Sequence, residues 1–401
     1  MTDLRNLAID TRPLRHPAYR RVFIGNSASF FGTQLTVVAV AVQMYAETGS
    51  TLWVGYLGLA GLVPLLVFAL WGGALADVLD RRRLFLTSST LMWLTTLALL
   101  TQALLRLHSP VLLLVLVAVQ SGMVSVASPT ASAIVPRIVP RAEVPAANTL
   151  NYTAGTVASV AGPLAAGALI RYDIAWAYGV DAVTFTLALW GALRLPALPP
   201  VRTGRSDVLT GLRYLAGQPV LLLSFAIDVV AMALAMPRAL FPAVAQQRFG
   251  GNAAVGWLFA AIALGAAVAG LTSGWIGRVR RQGLALVVAV VVWGLAVAAA
   301  GLARQLWLAV ALLALGGAAD LVSAVYRQTM LQTYAPDELR GRMSGLFIAV
   351  VTGGPRLGDL RAGAMAVPLG VTASWVGGGL ACAVVAVLLA VVFPALPRYR
   401  T

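Results

Sequence analysis

The chain has 401 residues, of which 60% are hydrophobic and 11% charged, whereas a soluble globular chain carries about 25% charged residues. This composition excludes a soluble protein and indicates one that lies in a membrane. The formal net charge is +15, and all 29 basic residues are arginine. They lie mostly between apolar runs, as in membrane-protein loops, which argues against nucleic-acid binding. Without a lysine there is no Walker A motif, so ATP-driven transport by this chain alone is excluded.

Apolar runs bounded by charges, proline or glycine predict twelve membrane-spanning helices. At about 1.5 Å per residue, each run is long enough to cross a hydrocarbon layer of about 30 Å. The predicted spans cover roughly residues 20–46, 51–79, 83–106, 109–135, 143–170, 173–195, 219–247, 253–278, 280–303, 305–333, 338–366 and 368–394. The expected fold is therefore all-α.

A polar segment divides these spans into two groups of six. We predict an N-terminal six-helix half over 1–195, a linker over 196–218 and a C-terminal six-helix half over 219–401. The linker has a run of apolar residues on one helical face, which predicts an amphipathic helix at the cytoplasmic interface. These residues are Val208, Leu209, Leu212 and Leu215.

The two halves repeat each other. Gly55 precedes Gly73 by 18 residues, and Gly256 precedes Gly274 by the same 18, which places the two pairs 201 positions apart. Each pair accompanies an apolar run that ends in a cluster of arginines. Equal helix numbers in the same orientation predict two pseudo-symmetric bundles related by an axis along the membrane normal.

The arginines also predict the orientation. With twelve spans, 21 of them fall on one side of the membrane and 4 on the other. Because positively charged loops stay in the cytoplasm, this ratio predicts a multi-pass protein of the cytoplasmic membrane with both termini inside.

The loop after the second span has the residues Gly73, Asp77, Arg81 and Arg82. In this pattern it resembles the signature of the major facilitator superfamily, although Val78 and Asp80 depart from it. The resemblance extends over essentially the whole chain. It implies the major facilitator fold and a cytoplasmic gate at these four residues; the alternative is a charge cluster that only anchors the loop.

Span five has a second such feature, Gly162 and Pro163 followed by Gly167. It is similar to the antiporter motif of exporters in this superfamily, although helix packing alone would also explain the glycines. The arginine of the fourth-helix motif of many proton antiporters is missing around Gln120, so that coupling scheme does not transfer directly.

Other stretches, such as His16–Arg20 and Thr329–Thr333, resemble the branch of this superfamily that contains enterobactin exporters and their multidrug and macrolide efflux relatives. The resemblance implies proton-coupled export, by alternating access, of a bulky amphiphilic organic molecule, either a siderophore of the enterobactin type or a lipophilic drug. Three alternatives stay open: a drug or macrolide pump without a siderophore role, an importer, and a non-transporting receptor. An enzyme is not expected, because no nucleophile–base pair appears.

Inserting an acidic residue near the bilayer centre costs about 2.5–3.5 kcal/mol of free energy, so acidic residues inside the spans indicate a function. The candidates for proton coupling are Asp228, Asp320, Asp359 and Asp181. An acid in a low-dielectric surrounding favours its protonated form, so it can carry a proton inward. Asp228 and Asp320 are favoured because the resemblance places their helices along the central path.

Arginines in the same spans would attract an anionic or carbonyl-rich substrate. They are Arg238, Arg327 and Arg356. The remaining predicted cavity residues are polar or polarizable: Asn26, Thr33, Gln120, Asn151, Tyr152, Met232, Met236, Ser323 and Tyr326. Asp320, Ser323 and Arg327 share one helical face. The alternative is that acid–arginine pairs, such as Asp320 with Arg327, only specify helix packing.

We expect no cofactor and no metal site, since His16 and His108 are isolated and Cys382 is a single cysteine. The expected partners are a small-molecule substrate, protons and the lipid bilayer, with no nucleic acid. A monomer is expected.

Overall fold

A computed structural model describes residues 10–78, 80–195 and 213–400. Within these ranges the regular structure is entirely helical, as predicted. The α-helices are α1 Pro17–Thr48, α2 Thr51–Val78, α3 Arg81–Leu104, α4 Pro110–Ile138, α5 Val144–Leu169, α6 Ile174–Leu193, α7 Pro219–Ala235, α8 Phe241–Arg248, α9 Asn252–Leu271, α10 Gln282–Leu302, α11 Leu306–Tyr334, α12 Asp337–Leu369 and α13 Val371–Val392.

Local sequence signals define where the helices begin. Asp80, Ser109 and Asp173 each accept a backbone N–H bond from the first turn that follows, at the starts of α3, α4 and α6. These side chains satisfy donors that the helix itself leaves free. Gly370 has φ of 84° and joins α12 directly to α13, a conformation that favours glycine.

In the described part of the chain, ten spans are long and apolar enough to cross a membrane, and one of them runs from α7 through α8, Pro219–Arg248. The other two long helices are α5 with 26 residues and α12 with 33. Both are long enough to cross, but α5 carries amides and hydroxyls and α12 carries several charges. The all-α membrane fold is confirmed, and the number of twelve crossings stays a prediction.

Packing divides the chain into two compact units. The first unit contains Met1–Val40 and Val67–Gly204, and the second contains Ala41–Leu66 and Arg205–Thr401. The predicted linker and its amphipathic helix lie mostly outside the described residues. Its described end is helical over residues 213–216. There Leu215 is buried against α7, α11 and α12. The predicted boundary between the two halves therefore stays a prediction.

Small residues allow the helices of the second unit to approach closely. A Cβ added at Gly265 of α9 would collide with the backbone of Ala314 in α11, and one at Gly317 of α11 would collide with the backbone of Ile262. Such contacts replace the hydrophobic driving force that lipid does not supply between helices.

In the first unit, α3 packs against α4 and α6. The antiporter-like residues of α5, Gly162, Pro163 and Gly167, are all buried. A Cβ on Gly162 would lie 2.5 Å from Cβ of Gln34 in α1. The glycine therefore sets the distance between α5 and α1.

Candidate functional site

An ion-paired cluster lies inside the second unit, where α7 meets α11. The guanidinium of Arg327 forms an ion pair with Asp228. Both side chains are almost fully buried, with 2% and 3% of their surface exposed. Nη2 of Arg327 also lies 3.7 Å from Oδ1 of Asp320, whose side chain is 33% exposed. One arginine is thus shared by two predicted acids, of which Asp228 is buried and Asp320 is partly exposed.

A second part of the cluster lies where α7 is interrupted. The helix ends at Ala235, and Pro237 cannot continue its hydrogen bonding. Just beyond, Arg238 interacts electrostatically with both Asp320 and Asp359. Oδ1 of Asp359 accepts the backbone N–H of Ala239 at 3.2 Å. Nε of Arg238 is buried and has no hydrogen-bond partner among the described residues.

Two further arginines of α12 are directed to backbone carbonyls. Arg356 donates to the carbonyl of Gly61 in α2, and Arg361 donates to the carbonyls of Leu234 and Ser374. Glycines of α2 make room for α12, since a Cβ at Gly58 would overlap the backbone of Arg356. Backbone carbonyls therefore occupy Nη1 of Arg356 and both Nη atoms of Arg361. Nε of Arg361 and Nε of Arg327 are buried without a hydrogen-bond partner among the described residues, like Nε of Arg238.

The other predicted residues of the second unit have covered side chains. Met232 and Met236 are 5% and 3% exposed, and Gly354 and Gly358 of α12 pack against them. The hydroxyl of Tyr326 donates to the carbonyl of Ile276 at 3.2 Å. Oγ of Ser323 is buried and finds no partner among the described residues. Of this group, Ser323 alone offers an unused polar atom.

Asp181 lies in the first unit, in α6, and is completely buried. Its Oδ2 accepts hydrogen bonds from Thr36 of α1 at 2.6 Å and from Thr96 of α3 at 3.3 Å. The hydroxyl of Thr184, one turn further along α6, donates to the backbone carbonyl of Asp181 at 2.8 Å and lies beside the same carboxyl group. This acid is therefore surrounded by hydroxyl groups, unlike the three acids of the second unit.

The predicted polar residues of the first unit do not form one cluster. Thr33 donates to the carbonyl of Ser29 in its own helix, and Asn151 accepts a bond from Tyr19 at 3.4 Å. Gln120 is 7% exposed, and Asn26 is half-buried. Tyr152 is 70% exposed.

At the predicted cytoplasmic gate, Arg82 donates to the carbonyl of Leu193 at 2.8 Å. Asp80, which departs from the signature, accepts the backbone N–H groups of Arg82 and Arg83 and so begins α3. Gly73 and Asp77 belong to α2 and Arg81 begins α3, but their side chains lie outside the described residues. The gate role stays a prediction.

One half-buried acid was missed by the sequence reasoning. Glu47, near the end of α1, accepts a bond from Gln43 at 2.7 Å through Oε1, while Oε2 is buried without a partner among the described residues. The i, i+4 spacing of Gln43 and Glu47 was the available signal.

Comparison with known proteins agrees with this architecture. The chain is 33% identical over 396 residues to the enterobactin exporter EntS of Shigella boydii serotype 18, covering 96% of this chain and 94% of that protein. The EntS of Escherichia coli O157:H7 gives the same identity and coverage. Both relatives are exporters by name.

Solved structures share the fold at low sequence identity. The nucleoside transporter NupG matches with a TM-score of 0.73 and 15% identity, covering 96% of this chain and 100% of that one. A D-xylose–proton symporter matches with a TM-score of 0.73 and 11% identity, covering 93% and 97%. The profile of the transmembrane secretion effectors, a major facilitator group, matches residues 9–401. This chain therefore belongs to the transmembrane secretion effector family of the major facilitator superfamily.

Proposed function

We propose that this protein is a proton-coupled exporter of a bulky amphiphilic organic molecule, a siderophore of the enterobactin type. The names of the relatives support the substrate class. The observation that carries the coupling is the sharing of Arg327 between Asp228 and Asp320. A multidrug or macrolide pump without a siderophore role is the second candidate, since the sequence resemblance covers both.

The two acids have different roles. Asp228 forms a buried ion pair with Arg327 and serves as its fixed counter-ion, because burying a guanidinium without a carboxylate partner costs free energy. Asp320 is accessible and lies further from Arg327, so it exchanges protons.

Substrate binding uses Arg238 together with the ionised Asp320. Arg238 has a buried Nε without a partner and lies at the interruption between α7 and α8. A planar guanidinium donates to two oxygens at once, which suits an anionic or carbonyl-rich molecule. In this proposal a substrate group and a proton compete for the carboxylate of Asp320, because a protonated carboxyl no longer accepts a hydrogen bond as a carboxylate does. An inward proton gradient therefore drives the substrate outward. Both termini in the cytoplasm, a single copy as the transport unit and alternating access of the two halves belong to the same proposal.

Inverted membrane vesicles test this function. The vesicles are prepared from cells that lack their own siderophore exporters and that express either the wild-type protein or Asp320→Asn. Enterobactin, a macrolide or a lipophilic dye is added outside the vesicles. We expect enterobactin uptake that collapses when the proton gradient is dissipated, and uptake at the empty-vesicle level for Asp320→Asn. The matched control is Asp10→Asn, because Asp10 is a partly exposed acid outside the spans; this variant keeps full uptake. Uptake that ignores the gradient would refute coupling, and uptake of the macrolide alone would favour the second candidate.

A further inference from the structure

The carboxyl group of Asp181 lies in a shell of oxygen atoms inside the first unit. Helices α1, α3 and α6 each contribute one hydroxyl, from Thr36, Thr96 and Thr184. Gly32 of α1 lies directly over the carboxyl, since a Cβ there would overlap Oδ1 of Asp181 and Oγ1 of Thr184. Three helices therefore meet at one completely buried acid.

No cation among the described residues faces this acid. The only ionisable side chain in helix α5 is that of Tyr152. In helix α6 the only ionisable side chain besides Asp181 is that of Tyr178. In α1 the nearest arginine is Arg21, 11 residues before Gly32, which is about 17 Å along a helix. In α3 the arginines lie in the first turn, about 20 Å along the helix from Thr96. An ionised Asp181 would thus be a buried charge without a counter-ion, which proteins avoid.

The hydrogen bonds show where a proton would sit. Oδ2 already accepts two hydroxyl protons, from Thr36 and Thr96. Oδ1 is buried, and no described donor is directed at it. The adjacent hydroxyl of Thr184 gives its proton to the backbone carbonyl of Asp181 at 2.8 Å, so its oxygen is left as an acceptor. A hydrogen on Oδ1 would satisfy both Oδ1 and Thr184, because a protonated carboxyl donates where a carboxylate only accepts.

We propose that Asp181 is a permanent proton-binding site, with the proton on Oδ1 donated to Thr184, and that this neutral acid joins α1, α3 and α6. Asp181 keeps its proton through the transport cycle, whereas Asp320 exchanges one. The site needs Gly32, since any larger residue would displace the protonated oxygen. The contrast with Asp320 rests on the proposed function, whereas the proton on Oδ1 does not and is tested without transport.

Infrared difference spectroscopy of the purified protein tests this site without substrate or gradient. The difference between wild type and Asp181→Asn should show the band of a protonated carboxyl at neutral pH, and no carboxylate band. Thr184→Val removes the acceptor and should shift that band to higher wavenumber, whereas Thr184→Ser keeps it in place. A carboxylate band at neutral pH, or a band indifferent to Thr184→Val, would overturn the proposal.

Thermal unfolding supplies a second measurement. The amide of Asp181→Asn donates to Thr184 and accepts from Thr36 and Thr96, so this variant should fold. The unfolded chain releases the proton at neutral pH and the folded chain holds it, so the melting temperature of wild type should fall relative to Asp181→Asn as pH rises. Parallel melting curves at all pH values would contradict the proposal. Loss of gradient-driven uptake in a normally melting Asp181→Asn would also contradict it, because the carboxyl would then exchange its proton.

Discussion

The carboxylate of Asp359 in α12 accepts the backbone N–H of Ala239, at the point where the chain leaves the end of α7. The carboxylate thus does two things: it caps the short turn before α8, and it balances the charge of Arg238.

Two substitutions separate these roles. Asp359→Asn keeps an acceptor for Ala239 but loses the charge, whereas Asp359→Ala loses both. We expect Asp359→Ala to lower the unfolding free energy by about 1 kcal/mol, as for a lost cap, and Asp359→Asn to lower it less. Thermal unfolding in detergent measures the difference. Equal destabilisation by both would show that the cap contributes nothing.

The close contact of α9 with α11 predicts a sharp difference between two glycines. Gly265→Ala should destabilise the protein by about 1–3 kcal/mol, because its Cβ would overlap the backbone of Ala314. Gly274→Ala is the control, since a Cβ there meets nothing within 4 Å. The melting temperatures of the two variants test this prediction. If Gly265→Ala melts like Gly274→Ala, helices α9 and α11 can move apart at little cost in free energy.

The antiporter-like motif gives a similar pair within a single helix. Gly162→Ala should push α5 away from Gln34 and reduce thermal stability. Gly155→Ala should be nearly neutral, because the nearest atom to its Cβ lies 3.9 Å away, in Phe30. If both variants melt like wild type, the motif does not act through packing, and transport assays of the same variants become the relevant measurement.

Removing Arg327 should leave Asp228 buried without its cation. We expect Arg327→Gln to destabilise the protein by about 3–5 kcal/mol, and Asp228→Asn in the same chain to restore part of the loss. Arg304→Gln, at an exposed position, is the control. Melting curves of the single and double variants form a double-mutant cycle, and strictly additive effects would show that the pair is not coupled.

Outside the membrane spans, Asp10 has a pKa below its ordinary value of 3.8, because Arg12 donates hydrogen bonds to the carboxylate. The stabilisation is therefore present above pH 3.8 and is lost as pH falls through the lowered pKa. Since the side chain of Arg12 is exposed and that of Asp10 is partly exposed, solvent screens the pair and the effect is small. Melting curves of Asp10→Asn and wild type should differ slightly at neutral pH and coincide in strong acid.

Periodicity was enough to predict the all-α fold, because each span is a continuous apolar run. The shared face of Asp320 and Arg327 was also visible, since seven positions are two helical turns. The pairing of Arg327 with Asp228 was not visible, because 99 positions separate them and helix packing alone brings them together. For the same reason the hydroxyls of Thr36 and Thr96 around Asp181 could not be predicted. The sequence shows which residues share a face of one helix, but it does not show which residues of different helices meet, because that depends on side-chain packing.

The interruption of α7 leaves the carbonyl of Leu234 without its helical donor, and Arg361 of α12 donates to it. A bend whose exposed carbonyl is already satisfied by protein needs no water, so it can persist at a depth where solvent is scarce. The same guanidinium also holds Ser374 of α13, which a single ammonium group would not reach with the same planar geometry. Replacing Arg361 with lysine would preserve the charge but would not satisfy the carbonyls of both Leu234 and Ser374 in the same way.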